Sequence, residues 1–189
     1  MKTFRISDTR RQTGMTLIEA SVWFVLFALV IAGALKMYSS VSTSQTVAAI
    51  TTDMIALRSA TRGLFSGSPG GYGAYGTNLN NLLVTANKIP FTIKVTAGTP
   101  DVLTNEQQGS VSIAIGGYTG RAFDITETGL TTDVCAGIVI NAASQGYESI
   151  IVNGNTILNA QVAPPLVTPS QAVAACATAT PASAVFSSY

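Results

Sequence analysis

MTLIEASVWFVLFALVIAGAL, residues 15–35, is the stretch on which the architecture turns. It carries one charge, Glu19, and nothing charged follows until Lys36. An apolar run of about 20 residues is long enough to cross the hydrocarbon core of a bilayer as an α-helix. Lys2, Arg5, Arg10 and Arg11 all lie on its N-terminal side. Cationic flanks stay in the cytoplasm, so residues 1–14 are expected inside and the bulk of the chain outside. The nearest rival is a secretory signal peptide, because Ala32, Gly33 and Ala34 supply a small-x-small cleavage pattern. Three features oppose it. The run exceeds the usual apolar core of roughly 7–15 residues, a carboxylate sits in its first turns, and helical patterning continues past Ala34.

A glutamate in such a helix is expensive, since insertion scales assign about 2.5–3.5 kcal/mol to an acidic residue at mid-membrane. It therefore needs a cationic partner. Cleavage between Gly14 and Met15 would create one, because a free α-amino group titrates at about pH 8 and is charged at neutrality. Glu19 follows Met15 by one helical turn, so it could cap its own terminus or pair with the terminus of a neighbouring copy. The residues leave both pairings open.

RRQTG, residues 10–14, followed by MTLIEASVWFVLFALVIAGA, resembles the cleavage and methylation motif of type IV prepilins. The resemblance lies in a small residue before the cut, an apolar one after it, the glutamate a turn later and an uninterrupted apolar helix. It implies that a leader, residues 1–14, is removed after Gly14 by a membrane-embedded prepilin peptidase. It further implies N-methylation of Met15, and Glu19 neutralising a neighbour's N-terminus during assembly. The implied architecture is the type IV pilin fold: α+β, a long N-terminal helical spine packed on an antiparallel sheet, with a C-terminal disulfide-bounded region. Methionine at the first mature position, a long leader and a late cysteine pair are similar to type IVb pilins, especially the major thin-pilus subunits of conjugative plasmids and enterobacterial pathogens. The implied partners are other copies of the chain in a helical homopolymer, the peptidase, the inner-membrane assembly machinery and, before assembly, the bilayer. The implied location is the inner membrane and then an extracellular pilus of a Gram-negative bacterium.

Past Lys36, the tract 39–46 is almost wholly polar and could be a linker. Helical patterning then resumes. Val47, Ile50, Met54, Leu57 and Leu64 fall on one face, with Thr52, Arg58, Ser59 and Arg62 on others. One helix from Met15 to about Phe65 is expected, about 75 Å long at 1.5 Å per residue. No proline occurs between Met15 and Ser68, so no proline kink is expected. The expected organisation is a leader (1–14), a membrane or filament-core half of the helix (15–38), an amphipathic half (39–66) and a globular α+β head (67–189).

The head opens on the glycine-rich loop SGSPGGYGAYG, residues 66–76, which lacks the Gly-Lys-Ser/Thr of a phosphate cradle. Strand character follows at 91–97, 110–115, 121–126, 148–152 and 156–159, and the Asn153-Gly154 turn predicts a hairpin between the last two. Residues 133–143 and 170–177 read as helices, the second with Thr168 as N-cap, Pro169 in its first turn and Gln171 at capping-box spacing. Cys135 and Cys176 form an even pair in a chain that looks exported, which favours a disulfide joining those two helices; buried free thiols are the alternative.

Composition narrows the chemistry. Charged residues make up only 10% and apolar ones 47%, so a hydroxylated surface can pack on copies of itself with little charge desolvation. From Met15 onward acidic residues outnumber basic ones, and no nucleic-acid footprint is visible. The absence of histidine removes His-based triads and most zinc sites. Asp101 with Glu106, and Asp124 with Glu127, are expected to be solvated loop carboxylates; no catalytic site, metal or cofactor is expected. The reading is therefore a non-enzymatic major pilin of type IVb character, serving adhesion, cell-cell contact or conjugation. Its alternatives are a minor pilin or type II secretion pseudopilin, and a membrane-tethered periplasmic binding module.

Overall fold

Ile50, Met54 and Leu57 recur at the spacing of one helical face, and all three are buried. The computed structural model describes residues 16–68, 70–116, 121–161 and 167–189, with the Ser39 side chain left aside. The described chain divides between Val41 and Ser42 into two compact units.

Helix α1 is Leu17–Phe65, unbroken through the polar tract at 39–46. Its first part belongs to one unit, and its second part is the spine of the other. Within the second unit follow α2 (Asn80–Thr85), β1 (Lys94–Thr96), β2 (Val102–Thr104), β3 (Ser110–Gly116) and β4 (Ala122–Leu130). Then come α3 (Thr132–Ala143), β5 (Ser149–Val152), β6 (Asn155–Asn159), α4 (Pro169–Cys176) and β7 (Ala182–Ser188). All strand pairs are antiparallel, in one seven-stranded sheet of order β1-β2-β3-β4-β7-β5-β6. The strand latest in sequence therefore lies between a four-stranded meander and the β5-β6 hairpin. Sequence patterning missed β7 because its ASAVFSS alternation is written in alanine and serine. It also missed α2 and β2, each too short to establish a period.

The expected hairpin forms at Asn153 and Gly154, both with positive φ, as a type I′ turn requires. The expected capping box is present: the Thr168 hydroxyl accepts from the Gln171 backbone N–H, and the Gln171 side chain accepts from the Thr168 N–H. Strand β4 continues past the expected 126 through a register shift between Glu127 and Leu130. Gly109 and Gly129 permit that shift, since a Cβ on Gly109 would fall 1.7 Å from the Thr128 carbonyl oxygen.

Two apolar clusters fill the second unit. In the first, Ile50 and Met54 of α1 pack with Leu130, α3, α4, Ile150 and Phe186. In the second, Leu57 packs with Leu83, Leu103, Val111, Ile113, Phe123 and Ile125. Leu64, expected on the buried face, is largely exposed; in this last turn Phe65 turns inward instead and meets Tyr72 edge-on at 5.2 Å. Cys135 and Cys176 are joined in a disulfide with their Cα atoms 5.9 Å apart, linking α3 to α4 inside the first cluster.

Candidate functional site

The first part of α1 has the composition of a core and the exposure of a surface. Leu17 is 88% exposed, Phe24 75% and Ile31 43%. Its 18-residue apolar window has a mean hydropathy of 2.2 and is long enough to cross a membrane. Ala20, Trp23, Phe24, Leu26, Phe27 and Val30 line an apolar groove along it. Nothing polar in that groove could position a substrate. It fits hydrocarbon, either lipid tails or the equivalent surface of another helix.

Glu19 lies exposed in the first turn of this helix. Its backbone N–H donates to the Thr16 hydroxyl at 3.3 Å, which is half of a capping box. Thr16 was not singled out from the sequence, although Thr-x-x-Glu was there to be read. Gly14 and Met15, the expected cleavage and methylation residues, lie outside the described residues.

The second part of α1 is fastened by polar as well as apolar contacts. Arg58, expected off the apolar face, donates to the Gln145 and Gly146 carbonyls and to the Ser188 hydroxyl, each at 2.7 Å. Its guanidinium also lies 4.5 Å from the centre of the Tyr147 ring. Burial lowers the Arg58 pKa, with Arg62 adding to the effect, and pushes the Tyr147 phenol up. Arg62 contributes bonds to the Ser188 hydroxyl and the Tyr189 carbonyl. Sequence reasoning had no means to see that these arginines reach across to β7.

Of the acidic pairs, Glu127 departs from expectation. Asp124 does lie on an outward position, accepting from the Ser187 hydroxyl at 2.6 Å. Glu127 does not, because the inward sequence of β4 is Phe123, Ile125, Glu127, and the last is only 1% exposed. Among the described residues no cluster of three or more acidic or cysteine side chains could hold a metal.

A family model described as PilS N terminal matches residues 44–188, nearly all of the second unit. The chain belongs to that family. Two solved structures share the fold of this PilS-family pilin. One is a type IV b pilin from Salmonella typhi, with a TM-score of 0.57 and 20% identity over 72% of this chain and 95% of that one. The other is TcpA, a type IV pilin from Vibrio cholerae El Tor biotype, with a TM-score of 0.58 and 17% identity over 77% of this chain and 99% of that one. No curated protein sequence matches. The long helix on an antiparallel sheet, with its disulfide, is thus the type IV pilin fold, and the resemblance to type IVb pilins stands. Pilins are structural proteins, so this member of the PilS family falls outside the enzymes. The apolar first part of α1 fits a membrane anchor in such a subunit.

Proposed function

We propose that this PilS-family pilin is the major subunit of an extracellular type IVb pilus of a Gram-negative bacterium. The leader is cut between Gly14 and Met15 by a prepilin peptidase, and the new Met15 amine is N-methylated. The apolar part of α1 holds the subunit in the inner membrane until the assembly machinery extracts it. Helices then bundle at the filament centre, exchanging lipid contacts for contacts between copies. Glu19 neutralises the α-amino group of a neighbouring subunit, which removes the cost of an unpaired carboxylate in that bundle. A methyl group leaves the amine cationic, so the ion pair is kept after modification. The filament serves adhesion, cell-cell contact or conjugation.

The observation that carries this reading is the row of exposed apolar side chains at 17–41 in a chain whose remaining apolar residues are mostly buried. Such a surface demands a partner larger than any this subunit provides for itself among the described residues. Intact mass and N-terminal sequencing of filaments sheared from cells test it. A methylated Met15 start in an abundant surface fibre is the expected result. A start at Leu35, or an uncut chain that stays monomeric in detergent, overturns it.

A further inference from the structure

The core of the second unit is interrupted where its two apolar clusters meet. On α1, Asp53 lies three residues after Ile50 of one cluster and four before Leu57 of the other. On β4, Glu127 lies between Ile125 of the second cluster and Leu130 of the first. Both carboxyls are buried, Asp53 at 7% exposure. Across the sheet Glu127 faces Val111 on β3 and Ala184 on β7, neither of which offers a hydrogen bond from its side chain. Its Oε2 accepts from the Asn105 Nδ2 at 2.8 Å, while its Oε1 is buried with no partner among the described residues.

Asn105 is fully committed. Its second amide hydrogen goes to the Thr128 carbonyl, and its oxygen accepts from the Gln107 and Gly109 backbone N–H groups. Asp53 accepts from the Thr92 hydroxyl. The other titratable groups facing this seam are Tyr147, whose hydroxyl is buried without a partner among the described residues, and Arg58, which lies over the Tyr147 ring and points at carbonyls. No cation among the described residues therefore answers Glu127 directly. One neutral amide hydrogen bond does not compensate a buried carboxylate, whereas a neutral carboxylic acid there costs far less.

We propose that Glu127 is a proton-operated latch in the sheet of the pilin body: it is held as a neutral acid when the pilin is most stable, and losing that proton loosens the seam between the two clusters. Acidic surroundings then tighten the body and alkaline ones slacken it. The same geometry raises the Glu127 pKa to about 8, first through burial, opposed by the Asn105 hydrogen bond and reinforced by the charge of Asp53. Asp53 itself is pushed up by burial, with the Thr92 hydroxyl pulling the other way.

The sign follows from linkage. The unfolded chain releases this proton at about 4.5 and the folded chain at about 8, so between those values the folded state holds the extra proton. Stability is highest below the lower value, falls as pH rises and levels off above the upper one. The slope approaches tenfold in the unfolding constant per pH unit, equivalent to about 1.4 kcal/mol.

Denaturant unfolding of the full chain in detergent micelles, followed by near-ultraviolet circular dichroism from pH 5 to pH 9, tests this. The wild type is expected to lose stability through that range. Glu127→Gln, which keeps an acceptor for Asn105, is expected to flatten the profile and exceed the wild type at pH 8. Asp53→Asn is expected to make the profile level off at a lower pH, by removing a negative neighbour that raises the folded-state value. Parallel profiles for wild type and Glu127→Gln overturn the proposal. Should Glu127→Gln fail to fold, the infrared spectrum of the wild type decides. A protonated carboxyl band present at pH 7 and lost above pH 8 supports the latch, and no such band at pH 7 overturns it.

Discussion

Helix α1 holds two regions of similar chemistry and opposite fate. Leu26 and Phe27 in the first part are exposed, while Ile50, Met54 and Leu57 in the second are nearly inaccessible. The difference is in arrangement more than in hydrophobic content. The second part places most of its apolar residues on one stripe, interrupted by buried Asp53 and Thr61, so a single sheet can satisfy it. The first part is apolar all round, and no one-sided partner covers such a helix. One stripe folds a subunit, whereas an apolar cylinder recruits a membrane or other subunits.

Substitutions in the two parts should therefore separate filament formation from folding. The largest effect is expected of Glu19→Ala: loss of filaments from sheared fractions by electron microscopy, with the thermal transition of the body unchanged. Filaments of normal yield in this variant would remove the ion pair from the assembly step. Next comes Leu57→Ala, which opens a cavity between α1 and the sheet and should lower stability by about 2–5 kcal/mol in denaturant titrations. Its counterpart Phe24→Ala should change that stability by no more than about 0.5 kcal/mol. Equal losses from both would mean the division drawn here is wrong.

A smaller effect is expected at Gly137 in α3, where an added Cβ would stand 2.8 Å from Val47 Cγ2 of α1. Gly137→Ala should cost about 1–3 kcal/mol of overpacking, and Val47→Ala in the same chain should recover part of it. The smallest is Thr168→Ala, which removes the cap of α4 and should cost about 1 kcal/mol, visible as a modest drop in melting temperature.

Much of this comparison was legible in the residues, because periodicity and charge placement are local. The long helix, the Asn153-Gly154 hairpin, the Thr168 capping box and the cysteine pair each depend on neighbours close in sequence or on a count. What stayed hidden depends on partners far along the chain. Arg58 is an ordinary exposed arginine until Gln145, Gly146 and Ser188 arrive beside it. Glu127 reads as a solvated acid until β4 is carried past residue 126 in register with Val111 and Ala184. Strand β7 carries only Val185 and Phe186 among alanines and serines, too little to mark a strand, yet it lies inside the sheet between β4 and β5.

That position sets an order of events. Ribosomal synthesis and export both proceed from the N-terminus, so β7 is the last strand of the sheet to arrive, and it bonds to β4 along one edge and β5 along the other. Before residue 188 emerges, those two strands display bare edges of the kind that adhere to any passing strand. In the folded body β7 thus seals two seams at once. A chain halted short of Ala182 would be left as two half-sheets ready to stick to its neighbours in disorder.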